Sequence, residues 1–198
     1  MSPGTSLPPA PPAPNLEALA TALGAYQPDP ATHPDDHYAF LVCQEALLAA
    51  RAGNYGVGCL LTDPAGRVIV RGHNQVFRPS FRSDLHAEMV VLNHFEQTCP
   101  ELTDLSGYQL VVSLEPCPMC LTRIIMAGIG VMRYVSPDQG GGMIGNLHAL
   151  PPSFKTLAGG QVFGQARCSA QLRQLALSLF TQNLAELRGR LLQRRPRV

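Results

Sequence analysis

The stretch YQLVVSLEPCPMCLTRIIMAGIGVMRYV, residues 108–135, reads as strand, helix and strand in close succession. Residues 108–114 are mostly apolar at successive positions, the pattern of a strand covered on both faces. Residues 117–128 follow as a helix, with Cys117 as its cap, Pro118 at its first position and Gly128 at its end. Residues 131–135 form a second short strand with two valines. Two β-α units in series imply parallel pairing in a sheet that carries helices on its surface.

Working outward, residues 57–62 and 67–71 are short apolar runs joined by Asp63-Pro64-Ala65-Gly66, a turn sequence, and read as a hairpin. Before it, Asp35 and Asp36 open a helix over 37–52 that Gly53 closes. After it, a loop over 72–84 leads to a helix over 86–97. Further upstream, Asn15 caps a short helix with Leu16, Leu19 and Leu23 on one face, and Gly24 is placed to end it. Half of the eighteen prolines fall in the first 34 residues, and residues 1–14 are of low complexity. Downstream, residues 136–160 hold six glycines and three prolines, the composition of a functional lid. A strand over 161–165 follows. Ser169 then caps one long helix whose Leu172, Leu175, Ala176, Leu179 and Phe180 share a face. This predicts a proline-rich arm with a short helix over 1–34 and a single domain over 35–198, containing the lid and the long C-terminal helix.

The 198 residues are 45% apolar and 15% charged, which excludes a wholly disordered chain. The net charge of +1 is a composite. Five arginines and no acid lie in residues 188–198, and the remainder carries ten basic against fourteen acidic groups. An acidic body is a poor funnel for a phosphate backbone, and the arginine-rich end reads as a solvated helix terminus. No run approaches the ~18 apolar residues that cross a membrane, and residues 1–14 lack the pattern of a secretory signal. The expected compartment is the reducing cytoplasm, where Cys-x-x-Cys signals metal or redox chemistry rather than a bridge.

That pair is Cys117-Pro118-Met119-Cys120, and 27 residues before Pro116 ends His86-Ala87-Glu88. Two thiolates and an imidazole suit Zn²⁺ and leave the fourth tetrahedral position for water. Cys117 and Cys120, three apart at a helix start, can face one point, and the helix N-terminus favours the thiolate. Glu88 sits about 200° from His86 on a regular helix and is no second ligand from mid-helix. In the first turn it could instead reach the water and move its proton to a leaving nitrogen. Cys99 or His94 could alternatively complete a closed structural site. Arg123 reads as a solvated residue, and Cys43 and Cys59 as small core side chains.

His-x-Glu with Pro-Cys-x-x-Cys resembles the zinc-dependent cytidine deaminase-like superfamily. The form His86-Ala87-Glu88 with Glu115-Pro116-Cys117-Pro118-Met119-Cys120 is most similar to the branch of tRNA adenosine deaminase, guanine deaminase and yeast-type cytosine deaminase. The resemblance covers roughly residues 36–136. It implies a three-layer α-β-α fold with a mixed sheet of about five strands, and hydrolysis of an exocyclic amine with release of ammonia. It implies that His86, Cys117 and Cys120 bind zinc and that Glu88 shuttles protons. It further implies that Asn74, within Gly72-His73-Asn74, and the Ala87 N–H contact the substrate. Asp84-Leu85 stands where tRNA deaminases usually carry a Pro-Thr or similar pair. The expected substrate is therefore a free nucleobase, nucleoside or related heterocycle. A tRNA-specific adenosine deaminase and a non-catalytic zinc module are the alternatives. Relatives of this kind are commonly homodimers, and Ile124, Ile125, Met126 and Ile129 on the PCxxC helix fit an interface as well as a core.

Overall fold

The computed structural model describes residues 15–195, so the proline-rich stretch 1–14 lies outside the described residues. Helices α1 (Leu16–Ala25) and α2 (Asp36–Arg51) precede the hairpin β1 (Gly58–Thr62) and β2 (Val68–His73). Then come α3 (Ala87–Thr98), β3 (Gln109–Leu114), α4 (Pro118–Ala127) and β4 (Val131–Ser136). A 3-10 segment, Ile144–Ala149, and α5 (Pro152–Leu157) lead to β5 (Val162–Gln165), α6 (Ala170–Thr181) and α7 (Leu184–Gln193). The strands form one mixed sheet in the order β2-β1-β3-β4-β5. β1 runs antiparallel to β2 and β3, and β4 runs parallel to β3 and β5.

Period-two alternation sorts the sheet's side chains into two cores. Leu60, Val111 and Val135 pack with α1, α2 and α6 on one face. Cys59, Leu61, Leu110, Val112 and Met132 pack with α3 and α4 on the other. This is the expected three-layer α-β-α arrangement with five strands. Strand β3 is buried almost throughout because both layers cover it. Helix α2 comes so close to β1 that a Cβ on Gly58 would lie 2.2 Å from the Val42 carbonyl oxygen.

The N-terminal region departs from the expectation of an arm. Leu19 and Leu23 are buried in the α2/α6 core, so α1 belongs to the domain. Gly24 lies inside α1, and Tyr26 ends the helix. The Tyr26 hydroxyl donates to Asp36, whose carboxylate also accepts the N–H groups of Asp29 and Ser169 at 3.0 and 2.9 Å. Asp35 makes no side-chain cap on α2; it accepts the Arg167 N–H at 2.7 Å instead. The two aspartates that read as a helix start therefore tie the N-terminal segment to the loop before α6.

The C-terminal region departs as well. In place of one long helix there are two, broken before Leu184. The Asn183 amide donates to the Ala50 and Asn54 carbonyls at the end of α2, which turns the chain back over the molecule. Most of the expected lid, residues 136–160, packs beside α4, where Leu150 is buried with Leu121 and Ile125.

Candidate active site

The site lies at the carboxyl ends of the parallel strands β3 and β4, the usual ligand position in an open α/β sheet. Two helices begin there. His86 is the N-cap of α3 and Cys117 the N-cap of α4, with Pro118 at the first helical position. Both caps have extended backbone, so neither side chain follows the helical rotation of its successors. That is why His86 and Glu88, which a regular helix would set on opposite sides, reach one cavity.

The donor atoms of His86, Cys117 and Cys120 all lie within 4.8 Å of one another, with His86 Nδ1 3.7 Å from Cys117 Sγ. Among the described residues no other His, Cys, Asp or Glu joins this cluster. Cys99 is exposed, and Arg123 pairs with Glu96 at 2.6 Å and does not reach the thiols. The three-donor set with an open side therefore fits a catalytic zinc centre better than a closed structural one.

The electrostatics agree with that fit. A hydrogen bond from Cys120, with further help from His86, lowers Cys117 to about 4 despite its burial. Cys120 is pushed well above the ordinary thiol range by its bond to Cys117, by burial and by the Glu88 charge. Charge on this pair is thus favoured at Cys117, and a metal held through both sulfurs would displace the Cys120 proton. Burial opposes protonation of His86, but Cys117 and Glu88 outweigh it and raise its pKa. Glu88, 4% exposed, is raised by burial.

The cavity beside this cluster has a volume of about 210 Å³. Asn74, His86, Glu88, Glu115 and Cys117 line its floor, and Tyr55, Val57 and Leu114 add apolar wall. The remaining wall comes from Asp138, Phe180, Leu184, Arg188 and Leu191. Asn74 is fixed in orientation: its Oδ1 accepts the Val76 N–H at 3.1 Å, leaving its NH₂ as the group to offer. Ala87, expected to contact the substrate, is fully buried and is not among the residues that line the cavity; it lies between two that do, His86 and Glu88, at the first position of α3. Glu115 accepts the Asp138 and Ile144 N–H groups at 3.2 and 2.9 Å, folding the glycine-rich turn against the site.

Sequence reasoning missed the far wall. Of the segment read as a lid, Asp138 alone lines this cavity; the cover is the end of α6 and the inner face of α7. The signal was present as Leu184, Leu187, Arg188 and Leu191, a helical stripe within a region read for its charge. Nor are its arginines all solvated. Arg190 lies over the Phe77 ring at 4.7 Å and Arg194 over Phe81 at 3.8 Å, while Leu187 is buried against Val76 and Phe77.

A family model for the cytidine and deoxycytidylate deaminase zinc-binding region matches residues 33–136. The chain belongs to this family. It is a hydrolase acting on carbon–nitrogen bonds, with zinc as cofactor. The tRNA-specific adenosine deaminase of Bacillus subtilis is 33% identical over 118 residues, 59% of this chain and 70% of that relative. A solved structure from work on A-to-I editing by tRNA:A34 deaminases is 25% identical, with a TM-score of 0.60. The match covers 70% of this chain and 98% of that one. A guanine deaminase from Nitrosomonas europaea is 20% identical with a TM-score of 0.57, covering 93% and 97%. This last likeness bears on fold alone. No helix among the described residues is long and apolar enough to cross a membrane.

Proposed function

We propose that this deaminase acts on a small unpolymerised substrate, a free nucleobase, a nucleoside or a related aminated heterocycle, in the cytoplasm. One observation carries the reading: Phe180, Leu184, Arg188 and Leu191, all beyond the family-matched segment, close over the cavity that holds Glu88 and Asn74. A roof of this kind suits a small planar molecule enclosed between apolar walls. The charges nearby support the same choice. Arg82 is paired with Asp84 at 2.7 Å, and Arg190 and Arg194 are stacked on aromatic rings. A strand of nucleic acid needs a row of unpaired cations, whereas Arg188 is the one arginine lining the cavity.

In this reading His86, Cys117 and Cys120 hold the zinc, which supplies Lewis acidity that makes water a nucleophile near neutral pH. The Asn74 NH₂ donates to an acceptor on the ring, and the Ala87 N–H meets the ring edge. Glu88, its pKa raised by burial, takes a proton from the attacking water and delivers it to the leaving amine. A C–O bond forms, the C–N bond breaks, and ammonia leaves.

The fully buried Ile124, Ile125 and Ile129 are core residues, which leaves Met126 as the exposed member of the segment expected at a dimer contact.

The test is ammonia release from guanine, cytosine, adenine, cytidine and their deoxy forms, with an adenosine-containing anticodon stem-loop RNA in parallel. Turnover of a small member with no turnover of the RNA is expected. Turnover of the RNA alone, with steeply salt-dependent binding, would establish the tRNA reading instead. Full zinc content with no turnover of any substrate would favour the non-catalytic module.

A further inference from the structure

The end of strand β2 carries alternating side chains with two different tasks. Arg71 and His73, two apart, share the face toward α2, and both reach Glu45: His73 Nδ1 lies 2.9 Å from Oε2 and Arg71 Nε 3.4 Å from Oε1. Gly72 faces the other way, since a Cβ there would meet Val90 and Val91 of α3 at 3.1 and 3.3 Å. Asn74, two beyond Gly72, continues on that side into the cavity. Its backbone N–H donates to the Val57 carbonyl at 2.9 Å, extending the β1–β2 pairing by one step.

Glu45 is nearly buried, at 7% exposure, on an inward face of α2. It stands where α2 touches β1 backbone, its Cβ 2.5 Å from the point a Cβ on Gly58 would occupy. A buried carboxylate bound to an arginine and a histidine brings little net stability compared with an apolar replacement, and its role is to fix geometry. Here it grips the strand one residue before the pocket amide. The strand ends at His73, and beyond Asn74 ladder pairing gives way to a backbone bond from the Gln75 N–H to the Leu85 carbonyl at 2.9 Å, on a loop rather than on the sheet.

We propose that Glu45 and His73 are positioning residues for Asn74. Helix α2 holds the last residue of β2 through this pair, and the next residue thereby presents its NH₂ to the substrate in one pose. The inference rests on the proposed reading of Asn74 as a substrate contact. Removing the grip allows the end of β2 to shift, and displacement of a binding group by about 1 Å can cost up to ~100-fold in rate. Because Asn74 holds the substrate and moves no proton, the variants should raise KM more than they lower kcat.

The experiment is a double-mutant cycle on the zinc-loaded full chain, assayed by ammonia release from guanine, cytosine and adenine. His73→Ala is expected to lower kcat/KM about 10-fold, chiefly through KM, with zinc content unchanged. His73→Gln, whose amide can still donate to Glu45, should recover most of that loss. In an Asn74→Ala background His73→Ala should cost nothing further, because the group it positions is gone. Glu45→Gln should follow the same pattern, and His73 is the partly exposed member of the pair should that variant fold poorly. Equal losses from His73→Ala in both backgrounds, or no recovery with Gln, would overturn the proposal while leaving Asn74 a substrate contact. Undiminished activity of Asn74→Ala alone would overturn both.

Discussion

Asp36→Asn is the substitution whose effect follows most directly from the structure. The carboxylate is fully buried and accepts from the Tyr26 hydroxyl, the Asp29 N–H and the Ser169 N–H. Asparagine has the same shape but only one acceptor oxygen: placed at Oδ2 it keeps the Tyr26 and Asp29 donors, while its NH₂ faces the Ser169 N–H and the charge is lost. Hydrogen bonds to a charged group contribute about 1.5–3 kcal/mol each, and an orphaned buried donor costs a similar amount. Losing one of the three, together with the charge, gives about 1.5–3 kcal/mol. In a protein of this size that lowers Tm by roughly 3–12 °C. Burial alone would raise the Asp36 pKa, but the three donors outweigh it and hold the value below the ordinary 3.8. The unfolded chain thus binds the proton more readily. The stability contributed is complete above about pH 4 and is lost as pH falls through the folded value. Urea denaturation of both proteins from pH 7 downward checks this. The gap should be widest at neutral pH and narrow once the medium is more acidic than about pH 4. A variant within 0.5 kcal/mol of the parent at pH 7, on the scale of an ordinary surface change, would refute the reasoning. So would a gap that does not narrow in acid.

Three further outcomes are expected from the same structure. Gly58→Ala forces a Cβ to 2.2 Å from the Val42 carbonyl oxygen and should destabilise by about 1–3 kcal/mol in chemical denaturation. Leu187→Ala removes the buried anchor of α7 against Val76 and Phe77; KM for the small substrate should rise severalfold, and an unchanged KM would show that α7 is no part of the binding wall. Cys120→Ala removes one of three clustered donors, so dialysis against a chelator should strip zinc from the variant at concentrations the parent withstands.

The strand–helix–strand segment, the hairpin and the HAE helix were legible because local signals agreed there. Apolar runs, turn residues and caps all pointed to one arrangement, and Pro118 after Cys117 set the helix start to the residue. The metal cluster was legible for the same reason, since His86 and Cys117 both cap helices. What could not be read depends on contacts distant in sequence. Asp35 and Asp36 look like helix-opening residues, yet their partners are Arg167 and Ser169, more than 130 positions away. The break before Leu184 is made by Asn183 reaching carbonyls at Ala50 and Asn54. The arginines after it suggested solvent because charge was weighed without the aromatic rings that Phe77 and Phe81 supply. The roof over the site was missed through these two errors together.

The central claim is that Glu88 moves protons beside a zinc held by His86, Cys117 and Cys120. It is tested most directly by measuring zinc per chain and ammonia release together, in the parent and in Glu88→Gln. Glutamine keeps the size of the buried side chain and removes its capacity to take a proton. Both proteins should hold about one zinc per chain, while the variant loses at least ~100-fold in turnover. Equal turnover in the two proteins, or full turnover in protein stripped of zinc, would contradict the account.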